Sequence, residues 1–134
     1  MDPRLHAYAE RQAPRYTSYP TAPHFSAAVN DDVVTSWLTA LPASDSISLY
    51  IHVPYCHQLC WYCGCNTFAA RRAEPVLDYV TTLLLELDLV RTVLGRRRVV
   101  EIHWGGGTPN ILDAAQFQRI FEHVRASFDT SALA

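Results

Sequence analysis

The chain has 134 residues, of which 49% are apolar and 18% are charged, and its formal net charge is −2. This composition is typical of a globular domain and not of a disordered segment. A nearly neutral chain without a long basic stripe gives no support to a nucleic-acid partner. No run of about 18 apolar residues and no signal peptide core is present, so we expect a cytoplasmic protein that does not enter a membrane.

The first thirty residues are rich in proline and poor in periodic apolar positions, which predicts an extended arm. Its most distinctive part is the segment Arg-Tyr-Thr-Ser-Tyr-Pro-Thr at residues 15–21. Asn30 is placed as the N-cap of a following helix, because apolar residues then recur at helical spacing until Pro42. We therefore expect residues 1–45 to form an arm and a helix.

A β-strand is predicted for residues 46–53, where apolar and polar residues alternate. Ile47, Leu49, Ile51 and Val53 share one face, and Ser48, Tyr50 and His52 share the other. Pro54 ends the strand, and the first cysteine follows within two residues. The cysteines are thus expected in a loop that leaves the C-terminal end of a strand.

The remaining residues repeat a strand–helix pattern. Pro75 suits the first turn of a long amphipathic helix that ends at Gly95, and a second strand is predicted at about residues 98–104. The run Gly-Gly-Gly-Thr-Pro at residues 105–109 follows it, and a third helix begins near Asp113. This order predicts an α/β fold with a parallel sheet, in which both loops meet at the ligand-binding edge.

All four cysteines lie within ten residues, at Cys56, Cys60, Cys63 and Cys65. Such clustering favours metal binding over a disulfide framework. The Cx3Cx2C spacing supplies three soft thiolates, which suit an iron–sulfur cluster and would leave one iron of a four-iron cube open. A structural zinc knuckle that uses all four cysteines is the alternative, although zinc ligands usually come as two separated pairs.

Cx3Cx2C after the first strand, together with the glycine-rich segment after the second, resembles the radical S-adenosylmethionine (SAM) superfamily. Tyr-Ile-His-Val-Pro-Tyr-Cys at residues 50–56, Gly-Cys-Asn at 64–66, His103-Trp104 and the 15–21 arm resemble the oxygen-independent coproporphyrinogen III oxidase (dehydrogenase) family. The resemblance implies the N-terminal βαβα portion of a partial TIM-type barrel. Residues 46–134 would be its first two βα units, in a fragment that is inactive alone.

The resemblance also implies a set of site residues. Cys56, Cys60 and Cys63 would hold a [4Fe–4S] cluster, with Cys65 outside the ligand set. Tyr50 and Gly106 would contact the cluster-bound SAM, and Tyr62, Gly107 and Thr108 would form a second SAM site.

The residues alone leave plainer roles open. Tyr50 could be a half-buried strand aromatic, and the three glycines could make only a tight turn. For His52, a structural histidine with hydrogen-bond partners is the preferred interpretation, so it is not counted as a site residue.

The implied activity is the oxidative decarboxylation of two propionates of coproporphyrinogen III to vinyl groups, which gives protoporphyrinogen IX in haem biosynthesis. The expected partners are this substrate and an electron donor such as flavodoxin or ferredoxin, and a monomer is expected. The alternatives are a radical SAM haem chaperone-like protein and a zinc-stabilised interaction module. The extra Cys65 and the 15–21 arm favour the enzyme over the chaperone.

Overall fold

The computed structural model describes residues 22–133. The arm predicted at residues 15–21 lies outside this range. The chain divides into two compact units, with the boundary between Val34 and Thr35. No helix among the described residues combines the length and the apolarity that a membrane span requires.

The first unit contains a short 3-10 helix, Ala22–His24, and the start of helix α1, Asp31–Thr39. The Asn30 side-chain oxygen accepts a hydrogen bond from the backbone N–H of Val33 at 3.1 Å. This contact confirms Asn30 as the N-cap, since it satisfies one of the free N–H groups at the helix start.

A two-stranded parallel sheet is the centre of the second unit. Strand β1, Ile47–Val53, pairs with strand β4, Val99–Gly106, and the register places Val53 opposite Gly106. Helix α2, Glu74–Leu94, connects them, so the predicted parallel α/β arrangement is confirmed. Strand β4 runs two residues further than expected, because its glycines continue to pair with the end of β1.

Helix α2 begins and ends as the sequence predicts. A proline occupies its first turn, and Gly95 ends it with a φ of +68°, a conformation that glycine adopts without strain. Nε of Arg97 donates to the carbonyl of Leu94, the last helical residue, at 3.0 Å. Arg97 therefore satisfies one of the carbonyl groups left free at the C-terminus of the helix.

Helix α3, Ala114–Ser127, begins with a capping box in which Asp113 and Gln116 each accept a hydrogen bond from the other's backbone N–H. Its apolar face and that of α2 pack with the sheet into one core. The most deeply buried members are Val53, Val80, Val99, Ile120, Val124 and Phe128.

A second, very short parallel pair lies between β1 and α2. It consists of β2, Tyr55–Cys56, and β3, Phe68–Ala69. The sequence predicts only a loop after Pro54, and this expectation is wrong for Cys56, which lies in a strand. The pair is too short to leave a periodic pattern, since two residues show no alternation.

Candidate metal centre

The cysteine loop is closed at its base by β2 and β3. Tyr55 pairs with Phe68, and Cys56 pairs with Ala69. The Phe68 N–H donates to the carbonyl of Pro54 at 2.8 Å, and the Ala70 N–H donates to that of Cys56 at 2.9 Å. Residues 57–67 therefore form a closed loop that starts after β2 and ends at β3, and this loop carries the other three cysteines.

The four cysteines have different surroundings. Cys56 is buried, with 7% of its surface exposed, whereas Cys60, Cys63 and Cys65 are exposed on the loop, and none forms a disulfide. The backbone N–H of Cys63 donates to the Cys60 carbonyl at 3.1 Å, which makes a tight turn between these two residues. The predicted ligand set thus comprises one fixed thiol on a strand and two on an exposed turn.

The thiols interact electrostatically with one another. Repulsion from Cys63 raises the pKa of Cys65, with further contributions from a hydrogen bond to Cys63 and from Cys56 and Cys60. Thiolates this close together repel each other, so a bound cation would stabilise them.

The glycine-rich segment lies directly against the first cysteine. The N–H groups of Gly107 and Thr108 donate to the carbonyls of Val53 and Tyr55, each at 2.8 Å. The Thr108 hydroxyl donates to Sγ of Cys56 at 3.2 Å. The structure therefore brings together three predicted site residues that are separated by about fifty positions in the sequence.

Gly107 is glycine because the chain approaches β2 closely. A Cβ at this position would lie 2.5 Å from the Tyr55 carbonyl oxygen and 2.9 Å from Cys56 Sγ. Gly106 has a φ of +100°, and a Cβ there would lie 2.6 Å from the Val53 carbonyl oxygen. Packing of the chain on itself is thus sufficient to require glycine at both positions.

Tyr50 lies on the exposed face of β1, with 62% of its surface accessible, and its ring covers Gly105. Its hydroxyl is 3.1 Å from Nδ1 of His52, and the other ring nitrogen of His52 is 3.0 Å from the carbonyl oxygen of Asn66. The expectation that His52 is a hydrogen-bonded histidine is confirmed. It links β1 to the end of the cysteine loop.

Three residues of the site were missed by sequence reasoning. Thr67 Oγ1 lies 3.6 Å from Cys56 Sγ, Asn66 accepts from His52, and the Tyr79 hydroxyl donates to the His52 carbonyl at 2.7 Å. Burial, with a smaller effect of the Glu86 charge, raises the pKa of Tyr79 to about 12. Proximity to the cysteines could have drawn attention to Asn66 and Thr67, whereas nothing in the helical pattern distinguishes Tyr79.

Tyr62 is 91% exposed, so its assignment to a SAM site depends on the resemblance alone. Among residues 22–133, no group of three His, Cys, Asp or Glu side chains is arranged to hold a metal ion. The donor chemistry nevertheless fits an iron–sulfur cluster. Two predicted ligand sulfurs lie on the loop and one at its base, and hydroxyl groups lie beside the sulfur at the base.

Known proteins resemble the chain closely, although no protein-family model matches it. It is 48% identical over 91% of its length to oxygen-independent coproporphyrinogen III oxidase of Bradyrhizobium diazoefficiens, and spans 27% of that relative. The Escherichia coli oxidase is 38% identical over 89% of the chain, which spans 26% of it. The chain therefore covers about a quarter of these relatives' length.

A protein of the same name from Mannheimia haemolytica is 41% identical, and there the match covers 88% of this chain and 80% of the relative. The fold is also shared with the solved structure of coproporphyrinogen III oxidase (HemN) from Escherichia coli, a radical SAM enzyme. That comparison has a TM-score of 0.76 at 33% identity, over 97% of this chain and 28% of the solved one. The chain belongs to the oxygen-independent coproporphyrinogen III oxidase family.

Proposed function

We propose that this chain is the cluster- and SAM-binding N-terminal part of an oxygen-independent coproporphyrinogen III oxidase, with residues 46–134 as the first two βα units of its barrel. The activity is the oxidative decarboxylation of two propionates of coproporphyrinogen III to vinyl groups, giving protoporphyrinogen IX. The observation that carries the proposal is the contact between Thr108, at the end of the glycine-rich segment, and Cys56. It joins the two motifs of the family at one edge of the sheet.

Cys56, Cys60 and Cys63 are the proposed ligands of a [4Fe–4S] cluster. Cys56 would bind it from β2, and Cys60 and Cys63 would bind it from the exposed turn of the loop. When bound, the cluster would supply the electron for cleavage of a carbon–sulfur bond of SAM, and SAM would supply the group that removes hydrogen from the substrate. The protein residues would hold these groups in place.

Tyr50 and Gly106 are the proposed contacts of the cluster-bound SAM, and Tyr62, Gly107 and Thr108 those of a second SAM. Because the N–H groups of Gly107 and Thr108 are already bonded to Val53 and Tyr55, contacts with SAM fall to other atoms of this segment, carbonyl oxygens among them. The glycines keep that backbone free of side chains, which lets a ligand approach.

The proposal also includes the partners that the family resemblance suggests. These are coproporphyrinogen III and an electron donor such as flavodoxin or ferredoxin. We also propose that the protein is a monomer in the cytoplasm.

Anaerobic reconstitution with iron and sulfide tests the cofactor. The chain should bind about four irons per molecule and develop a broad absorption band at about 400 nm. The Cys60→Ala variant should bind no cluster, and should therefore show neither the bound iron nor the absorption band. A chain purified without air that instead holds one zinc with all four thiolates would refute the proposal in favour of a zinc-stabilised module.

A chimera tests the activity. The Escherichia coli oxidase is replaced over its matching segment by this chain, and conversion of coproporphyrinogen III to protoporphyrinogen IX is measured anaerobically. The chimera should retain activity, whereas the same chimera with Cys60→Ala should have none. A folded chimera that binds its cluster but leaves the substrate unchanged would show that this chain does not serve the oxidase reaction.

A further inference from the structure

Cys56 differs from the other cysteines in the hydrogen bonds to its sulfur. The Thr108 hydroxyl lies 3.2 Å from Cys56 Sγ and the Thr67 hydroxyl 3.6 Å from it, both within hydrogen-bonding range for sulfur. These two threonines come from two different segments of the chain. Thr67 directly precedes β3, and Thr108 follows β4.

The backbone at or beside each threonine is hydrogen-bonded to the segment that precedes Cys56. The Thr108 N–H is bonded to the Tyr55 carbonyl at 2.8 Å, and Thr67 is followed by the N–H of Phe68, which is bonded to the Pro54 carbonyl at 2.8 Å. Since Pro54 and Tyr55 immediately precede Cys56, each threonine is tied to the same short segment as the sulfur. The contacts are therefore part of the packing around β2.

The chemistry of a ligating sulfur determines the direction of these bonds. A thiolate has no proton and can only accept, so both hydroxyls must donate to it once Cys56 binds metal. Hydrogen bonds to cluster sulfurs are among the factors that set reduction potential, because they stabilise negative charge and the reduced cluster carries more of it. Partners of this kind also orient the ligand and strengthen metal binding.

We propose that Thr67 and Thr108 are positioning residues that donate to the Cys56 thiolate, raise the reduction potential of the cluster and slow the loss of iron. This inference rests on the proposed function. It assigns Thr108 a role that is independent of SAM, in addition to its expected place in a second SAM site.

The test uses Thr67→Val and Thr108→Val, which keep the shape of the side chain and remove the hydroxyl, and Thr108→Ser, which retains it. Thr82→Val is the matched control, because its hydroxyl bonds only the Asp78 carbonyl within α2. Each reconstituted chain is studied without SAM. The readouts are iron content, the midpoint potential from a spectroscopic redox titration, and the rate of iron loss to a chelator.

Thr108→Val should shift the midpoint potential to a more negative value and lose iron about 10-fold faster. Thr67→Val should change the midpoint potential and the rate of iron loss in the same directions but by less, because its contact with Cys56 is longer. Thr108→Ser and Thr82→Val should match the unmodified chain. Four irons in every chain with an unchanged potential and rate in both valine variants would overturn this inference alone. An unmodified chain that takes up no iron would overturn the proposed function together with it.

Discussion

The hydroxyl of Tyr50 lies 3.1 Å from Nδ1 of His52. The other ring nitrogen, Nε2, lies 3.0 Å from the carbonyl oxygen of Asn66, which can only accept. In the neutral imidazole Nε2 therefore carries the proton, and Nδ1 accepts from the Tyr50 hydroxyl. Since Tyr50 is a proposed SAM contact and Asn66 lies near the end of the cysteine loop, His52 connects a proposed SAM contact to that loop.

Substitutions of His52 can separate its two hydrogen bonds. In His52→Gln the amide nitrogen can occupy the place of Nε2 and donate to Asn66, whereas in His52→Asn the shorter amide can accept from Tyr50 but cannot reach Asn66. Loss of the Asn66 bond should cost about 1 kcal/mol, so the loop end should open about 5-fold more often. Hydrogen exchange of the Phe68 amide, which is bonded to the Pro54 carbonyl, measures this opening.

We expect faster exchange of the Phe68 amide in His52→Asn and a rate near that of the unmodified chain in His52→Gln. Exchange of amides in the middle of α2 serves as the internal control, because this helix should not respond. Equal exchange in both variants would mean that His52 does not hold the loop end.

Much of the fold could be predicted because its determinants are local. The N-cap at Asn30, the proline in the first turn of α2 and the capping box at Asp113 lie within a few residues of the groups that they satisfy. The parallel order of β1 and β4 followed from the alternation of strand and helix. The short pair of β2 and β3 was missed, because it depends on which residues meet after the chain has turned back.

The same distinction applies to the candidate site. The Cx3Cx2C spacing made the cysteines candidate ligands, and the edge rule for parallel strands predicted that the glycine-rich segment lies beside them. The sequence could not show that Thr108 contacts Cys56, because that contact depends on the register of β1 against β4. Nor could it show that His52 reaches Asn66, because that contact depends on how the cysteine loop folds back. A shift of that register by one residue would exchange the side chains at the two faces of the sheet.

Replacement of the cysteines tests the ligand assignment. Cys56→Ala, Cys60→Ala and Cys63→Ala should each abolish assembly of the cluster, because a cube held by three thiolates does not tolerate the loss of one. Cys65→Ala should retain about four irons per chain. Iron content and absorption after anaerobic reconstitution measure the result, and an equal loss in all four variants would contradict a three-cysteine site.

Gly106 should be intolerant of any side chain. The resemblance implies a SAM contact at Gly106, and the structure predicts an effect on stability as well. At a φ of +100°, a Cβ would lie 2.6 Å from the Val53 carbonyl oxygen and 3.0 Å from Nε2 of His52. Gly106→Ala should therefore lower the free energy of unfolding by about 1–3 kcal/mol in urea denaturation of the metal-free chain.

Gly64 provides the matched control for Gly106. Nothing lies within 4 Å of a Cβ at this position, and its φ is not in the left-handed region. Gly64→Ala should therefore change the free energy of unfolding by less than about 0.5 kcal/mol. Equal stability of the two alanine variants would mean that Gly106 is not constrained by β1.

Tyr79 should make the stability of the fold sensitive to alkaline pH. Burial raises the pKa of Tyr79 to about 12, above the value of about 10 in an unfolded chain. The folded state thus favours the protonated phenol, and this contribution is complete below pH of about 10 and is lost as the pH rises through about 12. Because the ring is only half-buried, we expect the loss to be about 1 kcal/mol.

In urea denaturation over this pH range, Tyr79→Phe should lose about 1 kcal/mol less stability than the unmodified chain, since all other groups titrate in both. At lower pH the variant should be the less stable of the two, because the hydrogen bond to the His52 carbonyl is missing. If the free energy of unfolding fell equally with pH in the two chains above pH of about 10, folding would not favour the protonated form of the Tyr79 phenol.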